Sequence, residues 1–198
     1  MKIKLLKIAL SLSLSILSII FYKKNPNRLR KNVMVAMYLS TLADTFMVNV
    51  YGIGDFSTYI GAAFFMSAHI ILALSFIKES KIKKYKLVNK AFNIGLISVI
   101  LLSVLLGILA CVVPETPQII MYLLLLVYIG VICFNLVCQF SYAYNEKGLR
   151  YFLILAMSLF FISDYVIFLS MVNVIAEHNF IVWLTYIPAQ ALIIIFNS

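Results

Sequence analysis

Charge is what this sequence has least of. Only 12% of its 198 residues are charged, roughly half of what a soluble domain carries. Acidic groups are the scarcer kind, seven Asp and Glu against sixteen Lys and Arg. Histidine occurs twice, and only His69 falls inside an apolar stretch. That excludes a zinc centre of about three histidines and a carboxylate, and no metal is expected. The three cysteines, Cys111, Cys133 and Cys138, lack paired ligand spacing, and an odd number argues against a closed disulfide framework. They read as small apolar filler. No internal repeat, linker or low-complexity segment interrupts the chain.

What fills the sequence is hydrocarbon, with 64% of residues hydrophobic. The apolar residues come in runs at about 5–22, 32–51, 57–77, 91–113, 118–140, 151–172 and 179–197. Each approaches the ~20 residues that cross a bilayer as a helix. The runs are too long for barrel strands and do not alternate, so helix is the conformation that satisfies the backbone in lipid. The expectation is an all-α, polytopic transmembrane bundle of about seven helices, a single integral-membrane domain over 1–198. Lys2, Lys4 and Lys7 precede the first run as they would in a signal peptide. No small-x-small cleavage site follows before Lys23, so the run reads as a retained first helix, shortened by Lys7.

The basic residues orient the bundle. Loops 23–31, 78–90 and 141–150 share one side and hold thirteen of the sixteen Lys and Arg. The loops at 52–56, 114–117 and 173–178 hold none, and carry Asp55, Glu115 and Glu177. Positive-inside places the C-terminus in the cytoplasm and the N-terminus outside. The lysines meet anionic lipid at the cytoplasmic face, and the net charge of +9 does not mark a nucleic-acid surface. The location that follows is a cell membrane, read as a bacterial plasma membrane.

Against this background two carboxylates stand out. Asp44 and Asp164 each sit in the middle of an apolar run, where a charge is costly and needs a reason. A rise of ~1.5 Å per residue puts Asp44, His69, Asp164, Tyr186 and Gln190 between about 12 and 20 Å above the cytoplasmic side. Ser40 and Thr41 share the face of Asp44. Gly61, Phe65 and His69 recur every four residues, with Gly61 permitting close helix contact. Tyr186 and Gln190 share a face, and Pro188 between them frees a backbone carbonyl about a turn earlier. Hydroxyls, an amide and an imidazole can therefore surround the two carboxylates. The plain alternative for each is a structural hydrogen bond between helices, which also suits His69, Asn49, Asn135 and Gln139. Trp183 and Tyr186 also suit an aromatic belt.

These residues carry a resemblance. Leu42-Ala43-Asp44, Gly61-x3-Phe65-x3-His69, Leu159-Phe160-Phe161-Ile162-Ser163-Asp164 and Tyr186-x-x-Ala189-Gln190-x-Leu192-Ile193 resemble, in order, the motifs of the YhhN family of membrane lysoplasmalogenases. Ala43 stands where that family has Gly, and Leu72 where it often has an aromatic. The family has eight helices with both ends cytoplasmic, one more than counted here. The resemblance implies hydrolysis of the vinyl ether of a lysoplasmalogen, a lyso-ether phospholipid, to a fatty aldehyde and glycerophospho-ethanolamine or -choline, without a cofactor. Such a bond is broken by protonating its β-carbon, and water captures the oxocarbenium ion. That needs a carboxyl group held protonated near neutral pH, a form favoured by burial in apolar surroundings. A second, ionised carboxylate stabilises the cation and takes a proton from water. On this reading Asp164 is the acid and Asp44 the stabiliser and base, with the exchanged roles left open. His69 orients a carboxylate or the water. Tyr186 and Gln190 bind the hemiacetal oxygen or the glycerol, with Ser163, Ser40 and Thr41 in support.

The rivals come from other classes. A zinc-dependent amidase of the ceramidase type lacks its histidines here. A proton-coupled transporter would use the aspartates as a relay, but the chain has no paired broken helices or Gly-rich re-entrant segments.

Overall fold

The computed structural model of the protein describes residues 2–54, 56–85, 93, 97, 101, 119–146, 150–171 and 179–196. Among these residues the structure is helical and contains no strand. Six helices are α1 (Lys2–Lys24), α2 (Arg28–Met47), α3 (Phe56–Ile82), α4 (Ile119–Asn145), α5 (Arg150–Met171) and α6 (Asn179–Phe196). The run expected at 91–113 lies outside the described residues, apart from Asn93, Ile97 and Leu101, which are helical and exposed.

The helices do not stop where hydrophobicity stops. The basic loop expected at 23–31 shrinks to Asn25–Asn27. Lys23 and Lys24 belong to the last turn of α1, and Arg28, Arg30 and Lys31 to the first turns of α2. A helix is held by its own backbone bonds, and these run on into charged residues at the lipid boundary. The Asn27 side chain caps α2 by accepting from Arg30 N at 2.8 Å. The Arg30 guanidinium donates to the Phe21 and Asn25 carbonyls, each at 3.1 Å, and so ties the end of α1 to the start of α2. At its other end α2 stops four residues short of the expected 51. Asn49 there has φ 53°, and Gly52 and Gly54 have φ 66° and 65°. Left-handed residues reverse the chain in a few steps, and glycine does so without strain.

Three helical segments are long and apolar enough to cross a membrane: Leu6–Lys24, Phe56–Ile82 and Leu126–Asn145. Tyr151–Ile167 and Phe180–Phe196 are apolar but shorter. The length of α2 is 20 residues, but it carries Arg28, Arg30, Lys31 and Asp44. Large apolar side chains cover the outside, among them Leu12, Ile20, Leu74, Leu155 and Phe180. That is an arrangement for lipid. The interior holds Phe76, Leu72, Met157 and Phe160, but also His69, Asn135, Gln139 and Gln190, all almost fully enclosed.

Helices adjacent in the described order pack on each other, from α1 through α6, and α6 closes back on α1 and α2. The bundle is therefore a ring in which α6 reaches three neighbours. Contact between α2 and α3 is the most extensive among the described helices, and Gly61 lies at a close approach of the two. A Cβ there would lie 2.8 Å from Met47 Cγ and 3.2 Å from the Ala43 carbonyl oxygen. Small residues let membrane helices approach this closely.

A second tie joins α3 to α4 at the basic end. The Lys83 ammonium pairs with Glu146 and donates to the Tyr142 hydroxyl at 3.1 Å. Tyr85 donates to the same Glu146 oxygen at 2.6 Å. Burial pushes the Glu146 carboxyl up, but the bonds from Lys83 and Tyr85 outweigh it and hold the group below its ordinary range. Burial, and then the hydrogen bond to Glu146, raise the Tyr85 phenol to about 12.

Candidate functional site

Asp44 lies on the inner face of α2, one turn beyond Ser40 and Thr41, and is 5% exposed. Its Oδ2 accepts two hydrogen bonds, from the Ser11 hydroxyl on α1 and from the Tyr186 hydroxyl on α6 at 2.8 Å. One carboxylate oxygen thus joins three helices. Two donors on Oδ2 occupy its lone pairs, so a proton on this group belongs on Oδ1.

Asp164, 1% exposed on α5, belongs to a second cluster. Its Oδ2 lies 3.1 Å from His69 Nε2 on α3. The other imidazole nitrogen, Nδ1, lies 2.8 Å from the Asn135 amide nitrogen on α4. Gln139 donates to the Asn135 oxygen at 3.1 Å, one turn along the same helix. The order of donors sets the protons. Asn135 gives a hydrogen to Nδ1, so Nδ1 is unprotonated and Nε2–H points to Asp164. Asp164 Oδ1 has no hydrogen-bond partner among the described residues.

The two clusters touch through aromatic rings. Phe160 meets His69 edge-on with centroids 4.7 Å apart, and Tyr186 at 5.5 Å. Phe65 meets Tyr186 at 5.9 Å. Each aspartate is within electrostatic reach of the other cluster: Asp164 acts on Asp44 and on Tyr186. Both aspartates act on Tyr128 on α4.

The Asp44 cluster opens on a hollow. A cavity of about 150 Å³ is lined by Lys7, Asp44, Phe65, Trp183 and Tyr186, with Met47, Val48, Ile167, Ser170 and Val182 completing the wall. Asp164, His69 and Gln190 are not among its lining residues. The cavity is mostly apolar and has a carboxylate, a phenol and an ammonium on its surface. That suits an amphiphile's polar end.

The expected supporting residues divide. His69 and Tyr186 do meet the carboxylates, one on each. Thr41 does not. It bonds Ser15 Oγ at 2.6 Å and the Ser11 carbonyl at 3.0 Å, and so pins α2 to α1. Ser163 points to the Val182 carbonyl at 3.5 Å and links α5 to α6. Ser40 and Gln190 are buried, and the Gln190 amide nitrogen has no partner among the described residues. Short hydroxyl side chains beside a helix reach the neighbouring backbone first, which is why sharing a face with Asp44 did not bring Thr41 to it.

Sequence reasoning missed α1. Lys7, Ser11, Ser15 and Ser18 form a stripe at helical spacing, and its three serines are buried. That stripe was the available signal. It was hidden by the reading of Lys7 as the end of an apolar run. Tyr128, Asn135 and Gln139 form a similar stripe on α4, of which Asn135 and Gln139 were read as helix-to-helix contacts. They are that, but they also orient His69.

Among the described residues no three His, Cys, Asp or Glu side chains come together as a metal would need. Comparison with curated proteins and with solved structures gave no match. The helical bundle, its apolar exterior and its enclosed polar interior are those of a membrane protein. The YhhN family model matches residues 3–196, nearly the whole length, and the chain belongs to the YhhN family.

Proposed function

We propose that this protein is a metal-independent hydrolase that cleaves the vinyl ether bond of a lysoplasmalogen inside the membrane, as the family membership suggests. The observation that carries the reading is Asp44 on the wall of an apolar cavity, with Ser11 and Tyr186 both donating to one of its oxygens.

The chemistry follows from that placement. Asp44 is the carboxyl group that a lipid in the cavity can meet, which favours the exchanged roles over Asp164 as the acid. Protonated Asp44 gives its hydrogen to the β-carbon of the vinyl ether. The C=C pair forms the new C–H bond, and positive charge spreads over the α-carbon and ether oxygen. The carboxylate left behind, held by Ser11 and Tyr186, stabilises that cation. Water adds to the α-carbon and returns a proton to Asp44. The hemiacetal then collapses to the aldehyde and the glycerophospho-alcohol. Asp164, oriented by the His69–Asn135–Gln139 chain, adds negative charge behind Tyr186 and Phe160.

The wider setting belongs to the same proposal. The chain is one integral domain of about seven spans in a bacterial plasma membrane, with N-terminus outside, C-terminus cytoplasmic, and its basic helix ends on anionic lipid. The test is aldehyde release from 1-alkenyl-lysophospholipid by purified protein in detergent. Wild type releases aldehyde and Asp44→Asn does not. Unchanged release by Asp44→Asn overturns the reading.

One observation favours a second reading. The donor chain from Gln139 to Asp164 resembles a proton path along α4. A proton-coupled transporter would move protons into liposomes and release no aldehyde.

A further inference from the structure

We propose that a groove between α2 and α3, at the basic end of the bundle, binds one anionic phospholipid, with Arg28, Lys78 and Lys81 on its phosphate and Ile77, Leu74 and Ile71 along its chain. The inference is independent of the hydrolase reading. It also differs from a general attraction of basic helix ends to anionic lipid, because it names one place and one occupant.

The groove has a volume of about 600 Å³, four times that of the Asp44 cavity. That falls in the ~300–1,000 Å³ range of ligand pockets. The two hollows share no lining residue among those described. Two helices build the groove because α2 begins where α3 ends. Arg28 and Asn32 are four residues apart in the first turns of α2 and share a face. Ile71, Leu74, Lys78 and Lys81 recur at intervals of three and four residues and form one stripe on α3. Along that stripe the apolar members come first and both lysines come last.

This order is that of a phospholipid. From Lys81 to Ile71 the helix rises ~15 Å, about half of a ~30 Å hydrocarbon core and so the depth of one leaflet. The cations stand at the lipid boundary, while Ile71 and Leu74, the latter 56% exposed, lie at chain depth. Among the described residues none of the three cations pairs with a carboxylate. Glu79, next to Lys78 in the chain, is not among the lining residues. Like charges gathered from two helices repel, and a phosphate between them turns that repulsion into a link. The Arg28 guanidinium can fork onto two phosphate oxygens, and the lysines add point charges. A soluble anion would meet the charge but leave the apolar floor uncovered. A zwitterionic lipid would bring a fourth cation to three.

The experiment counts lipids on the full chain by native mass spectrometry out of detergent, titrating phosphatidylglycerol against phosphatidylcholine with the same acyl chains. Wild type is expected to take up one phosphatidylglycerol ahead of phosphatidylcholine, and a wild type without that preference overturns the site. Lys78→Gln/Lys81→Gln is expected to reduce the preference about tenfold or more. Lys23→Gln/Lys24→Gln removes the same charge at the end of α1, off the groove, and is expected to leave it unchanged. Equal losses in the two double variants overturn the groove in favour of diffuse attraction. Leu74→Trp fills the floor and keeps every charge. It is expected to weaken phosphatidylglycerol, and an unaltered affinity overturns the place given to the chain. Free glycerol 3-phosphate is expected not to displace the lipid at matching concentration, and displacement overturns a lipid as the occupant.

Discussion

Tyr186 and Asp44 are 142 residues apart in the chain, yet the phenol oxygen lies 2.8 Å from Asp44 Oδ2. The bond joins the last described helix to the second. It also sets which oxygen of the carboxyl group can carry a proton. Tyr186→Phe keeps the ring contacts with Phe65, Phe160 and Trp183 and removes only this donor. Aldehyde release should fall about tenfold or more, with the thermal unfolding temperature in detergent changed little. A full rate would remove Tyr186 from the mechanism.

Asn135 is predicted to matter through His69. Asn135→Leu deletes the donor to Nδ1 and the acceptor for Gln139, leaving two enclosed polar groups unsatisfied. Each costs about 1–3 kcal/mol, so the variant should unfold at a distinctly lower temperature. Asn135→Asp restores an acceptor for Gln139 but not the donor to Nδ1. An unchanged unfolding temperature in Asn135→Leu would show that the bond to His69 carries no stability.

Gly61 is predicted to tolerate no side chain without movement of α2 against α3. Met47 can swing aside, but the Ala43 carbonyl is backbone and stays at 3.2 Å from the added Cβ. Gly61→Val should destabilise by roughly 1–3 kcal/mol. Because Ala43 precedes Asp44, the strain also displaces the carboxylate. Lost activity with an unchanged unfolding temperature would show that the contact is soft.

The Lys83–Glu146 tie gives a pH dependence of known sign. The folded Glu146 carboxyl is held below its unfolded value, so the tie stabilises above about pH 4.3, the unfolded value. The contribution is lost as pH falls through the lower folded value. The Lys83 side chain is 37% exposed, so screening limits the effect to under about 1 kcal/mol. Glu146→Gln should lower stability at pH 7 and flatten its decline between about pH 5 and 3. Equal acid sensitivity in both proteins would rule out Glu146 as the source.

The fold was legible wherever hydrophobicity decided it. All six described helices overlie expected apolar runs, with ends displaced by no more than five residues. The polar ends did not announce themselves, because Lys78 and Lys81 continue α3 through ordinary backbone bonds. The costly groups were also legible. Asp44, Asp164, His69 and Tyr186 were found from position alone, and each is buried with a hydrogen-bonded partner. Which partner goes with which was not legible, since helix order around the ring has no trace in spacing. Nothing in the apolar runs said that His69 would take Asp164 while Tyr186 took Asp44. Lys7 and Ser11 escaped for a different reason. A lysine near a chain end reads as a boundary, and only the closure of α6 on α1 turns it inward.

That closure has a mechanical consequence. The Asp44 oxygen on which Ser11 and Tyr186 converge is held from α1 and α6 together, so sliding either helix withdraws one of the two donors and leaves the carboxyl group free to turn.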